Sequence, residues 1–482
     1  MIPRMTTTGS LRGYRYNLQR STFTLNKSIT TVMTGRAFNS FAEDPTKAAE
    51  SFHLRRAYLR TSSQYDLNES TVRKYEVAYS SMDSVEKVID TDPESKGAAY
   101  YAIIRALNDP DASGRNALGQ EITAHANDMV QFMNGRYGDN FIFSGADALN
   151  VPLTWVPKSN PNYAPDSPEA FKYLMDDPAN PGTKIGTNDA AKANTVPQPN
   201  PNYDPNDPAS LPFLGTDGKP TDGVATPANQ VPEENPDYDE KVTLPYLTSD
   251  GEPTDDEFEA GRTLCYRGVP VDSDDPSDLE KLDYISKGEK KYVDIGLGYD
   301  MNGGKVESSS VYNIALQAVN FLGGYGSEEE PRTVTLPALK DEDGNVVRAE
   351  QTFTFKDIPK NIVSITDEIG TILQRCSPED GHFATTEDEA RFNALVDAFE
   401  ESSFRVKDRY TELTTQAQFL KNNQQQLKDN AYTINEQIQG IDYVDEAAAI
   451  SDFIYARYCY DTALKVGNSV LSQSLMDYMN FS

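Results

Sequence analysis

Eight apolar residues stand at unbroken seven-residue spacing late in this chain: Phe392, Phe399, Val406, Leu413, Leu420, Leu427, Ile434 and Ile441. Val396, Tyr410, Ala417, Ala431 and Ile438 fill the position four residues on, with Ser403 and Gln424 interrupting that second row. A seven-residue period keeps one stripe on one side of an α-helix. Such a helix would extend for ~80 Å. Few globular cores bury a helix of that length, so this one demands a partner along its whole course.

The first 140 residues offer that partner. Leu11, Leu18, Leu25 and Val32 recur every seven residues, and Ile29 follows Leu25 by four. Thr34-Gly35 breaks the stripe. Asp44-Pro45 predicts a new helix start, with Asp as N-cap and Pro at the first helical position. Helix is then expected from Thr46 to Asp90, carrying the ladders Tyr65-Val72-Tyr79 and Tyr75-Met82-Ile89. After a break at Asn108-Asp109-Pro110, Asn116 to Met133 returns to helical pattern. At the far end, beyond Gly440, a last helix places Phe453, Tyr460, Leu464, Leu471, Leu475 and Tyr478 on one side. Residues 1–42 hold six basic side chains and no acid, while 442–482 hold six acids against Arg457 and Lys465. Opposite ends of opposite sign favour pairing. An exposed ion pair contributes only ~0–1 kcal/mol, so charge orients while the apolar stripes stabilise. A basic, acid-free start also suits a transit peptide or a membrane-surface helix, but the acidic far end favours helix pairing.

The middle differs in kind. Residues 151–260 contain 19 of the 29 prolines and 20 acids against 6 bases. Asn160-Pro161-Asn162-Tyr163 recurs as Asn200-Pro201-Asn202-Tyr203, with a weaker echo at Asn235-Pro236-Asp237-Tyr238. Proline at this density opposes helix and interior strand, so an extended or partly disordered insertion is expected, the repeats serving as loop punctuation. Short strands are expected at Thr263–Tyr266, Tyr292–Leu297, Thr333–Leu336 and Thr352–Phe355, the last two flanking a turn at Asp343-Gly344. Helix is expected again near Val311–Phe321 and from about Asn361.

These readings give a mainly α fold. Long N- and C-terminal helices pack as a coiled-coil or helical bundle, with a β-rich, Pro-rich domain inserted between them. The expected division is 1–42 with 442–482 as a terminal coiled coil, 43–146 with 360–441 as a helical bundle, and 147–359 as the insertion. Chemistry is absent from this plan. No HExxH, GxSxG or P-loop occurs, and Asp341-x-Asp343-Gly344 lacks the later ligands of a calcium loop. Cys265, Cys376 and Cys459 are scattered and odd in number, which indicates no disulfide framework, and the three histidines do not cluster as zinc ligands would. No catalytic residue, cofactor or metal is therefore expected. The net charge of −31 argues against nucleic acid as a partner. No apolar run approaches the ~20 residues of a membrane span. The first ten residues lack the apolar stretch of a secretory signal.

Several segments resemble the flagellin family. Thr34-Gly35-Arg36-Ala37-Phe38-Asn39, followed by Glu43-Asp44-Pro45-Thr46-Lys47-Ala48-Ala49, is similar to that family's N-terminal signature, with Glu43 replacing the usual first Asp. Ser63-Gln64-Tyr65-x-x-Asn68 continues it. Gly135, Tyr137, Phe143 and Gly145, within Asn134–Gly145, resemble a stretch of the hook-associated junction proteins. Gly440-Ile441-Asp442-Tyr443, Ala463-Leu464-x-Val466-Gly467 and Ser474-Leu475-Met476-Asp477-Tyr478-Met479 resemble their ending. The resemblance covers about 1–150 and 390–482. It implies a non-enzymatic flagellar subunit, exported unfolded through the type III apparatus, extracellular, at the hook–filament junction. It further implies a homo-oligomeric ring, contact with neighbouring hook-associated proteins and flagellin, and an export chaperone. Filament flagellin is the alternative. An adhesive, glycan-binding or enzymatic insertion, using Trp155 and the Tyr-bearing repeats, is a third reading.

Overall fold

The computed structural model describes residues 7–108, 114–180, 182–205, 207, 210–224, 227–298, 301–302, 305–306, 310–340, 346–377 and 381–479. Nine helices are described: α1 (Thr7–Thr34), α2 (Pro45–Ile89), α3 (Ala98–Asn108), α4 (Arg115–Met133), α5 (Pro276–Asp283), α6 (Ala318–Phe321), α7 (Ile362–Gln374), α8 (Thr386–Asp442) and α9 (Glu446–Met479). The middle of the chain forms short antiparallel pairs and one three-stranded antiparallel sheet. The chain divides into two compact units. One comprises Met1–Glu76, Lys291–Ile314 and Leu413–Ser482, and the other Val77–Lys290 and Ala315–Glu412.

In the first unit α1 packs along α9, and the early part of α2 lies beside the late part of α8. Leu413, Leu420 and Leu427 of the heptad row are buried, while Ile434 and Ile441 are half-buried. Asn68, fully buried, donates to the Leu420 carbonyl at 3.2 Å. A strap made of the described residues between 291 and 314 packs on this unit. Its Ile295 is fully buried and accepts from Asn423 at 2.7 Å. Tyr312 lies against Tyr75 and Phe419, with ring centroids 6.0 and 5.9 Å away. Lys74 donates to the Ile314 carbonyl at 2.8 Å. Burial, helped by the nearby Lys291 charge, lowers its ammonium pKa to about 8.

In the second unit α4 packs tightly on α7. A Cβ built on Gly119 would stand 2.6 Å from the Gly370 carbonyl oxygen, so glycine is what lets the backbones approach. The core gathers Met82, Ile89, Ile103, Ile122, Met129, Phe143, Tyr266, Phe392 and Phe399. Tyr75, Met82 and Ile89 of the second α2 ladder are all buried, each within its own unit, whereas Tyr79 of the first keeps 39% of its surface and stacks on Tyr410 at 5.2 Å. Asn361 caps α7 by accepting from the Val363 N–H at 3.0 Å.

The insertion, expected as an extended or partly disordered loop, carries short strands between its turns. Within 151–260 lie β3 (Leu153–Pro157), β4 (Tyr173–Asp176), β5 (Lys184–Thr187), β6 (Thr195–Pro197), β7 (Phe213–Leu214), β8 (Pro220–Thr221), β9 (Gln230–Pro232), β10 (Tyr246–Leu247) and β11 (Pro253–Thr254). Two strands precede them, β1 (Arg136–Tyr137) and β2 (Asn140–Phe141), and β12 (Arg262–Tyr266) follows. The pairs are β4–β5, β6–β9, β7–β8 and β10–β11, while β3 pairs with β12. Pairs two strands wide tolerate proline because each strand has an open edge. Helix near Val311–Phe321 shrinks to α6, since Tyr312–Asn313 instead pairs with Tyr292–Val293. Thr333–Leu336 and Thr352–Phe355 do form one antiparallel pair. The turn and the calcium-loop resemblance at 341–345 lie outside the described residues.

Candidate assembly interface

The N- and C-terminal motifs converge on one junction. α1 ends where the Gly35 N–H donates to the Thr31 carbonyl at 2.8 Å, and Gly35 takes a φ of +66°, a conformation that suits glycine at a helix C-terminus. The chain then runs antiparallel to the end of α8. The Ala37 N–H donates to the Asp442 carbonyl at 2.8 Å, the Val444 N–H to the Gly35 carbonyl at 3.0 Å, and Arg36 bridges Tyr443. The Asp442 side chain is buried and pairs with Arg55 of α2. Burial alone would raise its pKa. Hydrogen bonds from Ser51 and Arg55, with the charges of Arg55 and Arg36, outweigh this and hold the carboxyl below its ordinary range. α2 begins as expected: Asp44 accepts from the Lys47 N–H at 3.1 Å, and Pro45 is the first helical residue. The Asn39 N–H donates to Glu43 at 2.9 Å, so the Glu in place of Asp still closes this loop.

The α1–α9 seam uses smaller side chains than the stripes suggest. On α1, Leu11, Leu18 and Leu25 are half-buried, as are Tyr14, Ser21, Ser28 and Ile29, whereas Val32 is exposed. On α9, Ala449, Ala456 and Gly467 are buried, with Phe453, Tyr460 and Ala463 half-buried between them. A Cβ on Gly467 would collide with the Tyr14 ring, so the aromatic seats on bare backbone. Leu464, expected on the packed side, faces outward because Ala463 and Gly467 occupy the seam. The signal was present in the seven-residue row Ala449-Ala456-Ala463, which a search for large apolar residues passes over. Leu471, Leu475 and Tyr478 lie in α9, their side chains outside the described ones.

Much apolar surface stays uncovered on these helices. Phe23, Met33, Ile454, Tyr455 and Tyr458 are exposed, Phe23 to 70% and Tyr455 to 69%. So are Arg12, Arg15, Arg20 and Lys27 on α1 and Asp452 and Asp461 on α9. Among the described residues no ion pair joins α1 to α9, so the opposite charges face outward rather than each other.

The Gly135–Gly145 stretch has a different task. Tyr137, half-buried, sits in the small hairpin of β1 and β2, and the Gly135 carbonyl accepts from the Ile142 N–H at 3.1 Å. Phe143 is fully buried, its carbonyl accepting from the Tyr266 hydroxyl at 3.0 Å and its ring meeting Phe321 at 5.5 Å. Gly145, with φ +75°, donates its N–H to the Leu316 carbonyl at 2.8 Å. These residues lock the second unit rather than line a cleft.

Among the described residues no three or more His, Cys, Asp or Glu side chains are placed to hold a metal, and no helix is long and apolar enough to cross a membrane. Cys265 and Cys376 are buried, and burial pushes each thiol up to about 11. Trp155 lies under the Arg262 guanidinium, 4.2 Å from its ring, so that ring is already occupied.

No family profile matches the chain, and no curated protein is detectably similar in sequence. Solved structures do align with most of it. A Vibrio parahaemolyticus protein assigned as flagellar hook-associated is 9% identical over 83% of this chain and 100% of its own, with a TM-score of 0.40. Flagellar hook-associated protein 3 from Legionella pneumophila is 9% identical over 80% and 98%, with a TM-score of 0.35. FlgL from Xanthomonas campestris is 12% identical over 80% and 98%, with a TM-score of 0.31. This chain is thus similar to solved structures that bear the names flagellar hook-associated protein and FlgL.

Proposed function

We propose that this chain is a non-enzymatic structural subunit of the bacterial flagellum. It joins hook to filament, is exported by the flagellar type III apparatus, and assembles through its terminal helices into a homo-oligomeric ring beside other hook-associated proteins and flagellin. One observation carries the reading. The two motif-bearing ends meet at the Gly35–Asp442 junction, while α1 and α9 leave large apolar side chains uncovered. A helix pair with a covered inner seam and an uncovered apolar outside suits burial against further copies. The division into terminal coiled coil (1–42 with 442–482), helical bundle (43–146 with 360–441) and insertion (147–359) belongs to the same proposal.

The test removes residues 474–482. The shortened chain is expected to keep the helix content of the rest and to lose motility and attachment to isolated flagella. A shortened chain that still supports motility overturns the proposal. Immunogold labelling of the intact protein is expected at the hook–filament boundary; labelling along the filament's length would instead identify a filament flagellin. Use of the Asn-Pro repeats for glycan binding gains little support, since their asparagine amides are spent on backbone carbonyls.

A further inference from the structure

The three Asn-Pro repeats sit in three copies of one small structure. In each, the asparagine is buried. Its Oδ1 accepts from the N–H two residues on, at 3.0 Å for Asn160, 3.0 Å for Asn200 and 3.1 Å for Asn235. Its amide nitrogen donates to carbonyls of a second segment: Lys241 and Leu244 for Asn160, Leu211 for Asn200, Pro168 and Phe171 for Asn235. That second segment leads into a hairpin, β10–β11, β7–β8 and β4–β5 respectively. Each hairpin carries a buried threonine, Thr254, Thr221 or Thr187, whose hydroxyl accepts from the N–H two residues on, each time at 3.1 Å.

A backbone triangle closes each copy. Lys158 donates to Gly261, Gly261 to Leu247, and Leu247 to Lys158. The same cycle joins Gln198, Asn229 and Leu214, and again Glu233, Asn194 and Leu174. The repeating unit is therefore the asparagine turn with a hairpin, and not the four-residue motif alone.

The pairing is nested. The first turn closes on the last hairpin, the third turn on the first hairpin, and the second turn on the hairpin that directly follows it. Two passes of chain join successive copies: 161–170 with 236–243, and then β6 with β9. We infer that the described residues between 158 and 261 form an array of three equivalent modules, each folding on its own bonds. Contacts limited to neighbours are the mark of repeat arrays, whose stability adds module by module. Opening a middle module leaves the tip module closed on itself, and lengthens the loop that the outer module must close at only logarithmic cost.

The tip module can be removed cleanly. Where β6 and β9 end, the Gln198 N–H donates to the Asn229 carbonyl, so Asn-Gly in place of 199–228 would close that pair as a hairpin. The experiment uses hydrogen exchange by mass spectrometry on the full chain carrying this replacement. Protection in 171–194 and 244–261 is expected to match the unaltered chain; its loss in either segment overturns the inference. Asn235→Ala supplies the second arm. Exchange is expected to quicken by on the order of tenfold in 171–194 and 233–235, with 198–229 and 244–261 unchanged. Faster exchange through all three modules would instead reveal a single cooperative domain and overturn it.

Discussion

Two aspartates respond to pH in opposite senses. Asp442 has its pKa held below 3.8, because the hydrogen bonds and charges of Ser51, Arg55 and Arg36 outweigh its burial. Its contribution is therefore present above the unfolded value and lost as pH falls through the folded one. Arg55 is more than half exposed, and solvent screening keeps the pair modest. Asp442→Asn is expected to cost about 1 kcal/mol at neutral pH, with the gap to the unaltered chain narrowing once pH drops below 3.8. Thermal unfolding of both forms across that range checks it. Asp272 is the reverse. The residue keeps some exposed area, but its Oδ1 is sealed from solvent without a partner. Burial raises its pKa to about 7, against a lowering by Ser364 and with help from Glu368 and Asp367. Ionising it costs the fold progressively from pH 3.8 up to about 7, and fully above that. Asp272→Asn should accordingly stabilise the second unit at pH 8, by about 2 kcal/mol, and change little below pH 4. A variant no more stable at pH 8 would show that the carboxyl is better solvated than its packing implies.

At the scale of the element, the heptad row of α8 places its own test. Leu420 is fully buried, and its carbonyl accepts from buried Asn68. Leu420→Asp sets an unpaired charge in that seam and is expected to cost about 3–5 kcal/mol in thermal or denaturant unfolding of the first unit; an unchanged transition would refute burial there. This row was legible because large apolar residues keep a seven-residue spacing over such a length only where one helix face is packed throughout. Asp44-Pro45 was legible for a similar reason, since capping chemistry is local. The α9 seam was hard to read: alanine and glycine carry little hydrophobic signal, and their role appears only when Tyr14 is seen resting on Gly467. The insertion was harder still. Its order comes from asparagine amides meeting carbonyls up to 84 residues away, and such pairings leave no periodicity. Proline density argued correctly against helix and wide sheet, but it permits narrow hairpins with open edges.

For the whole molecule, the proposed assembly rests on the outward faces of α1 and α9. Apolar side chains such as Phe23 and Ile454 supply area that water disfavours, while the outward basic residues of α1 and acidic residues of α9 differ in sign. Between copies, such charges would orient approach and the apolar groups would hold the contact. The two roles separate by experiment. Raising salt should slow association without abolishing it, because screening weakens exposed charges and leaves apolar burial intact. Phe23→Glu combined with Ile454→Glu should instead abolish it. Both side chains lie on the outside of their helices, so circular dichroism is expected to match the unaltered chain. Sedimentation velocity at rising concentration, alone and with the purified hook end, then reads the outcome. If the double variant joins copies or hook as readily as the unaltered chain, the apolar faces are not the assembly surface. If salt alone dissolves the contact, charge rather than apolar burial holds it.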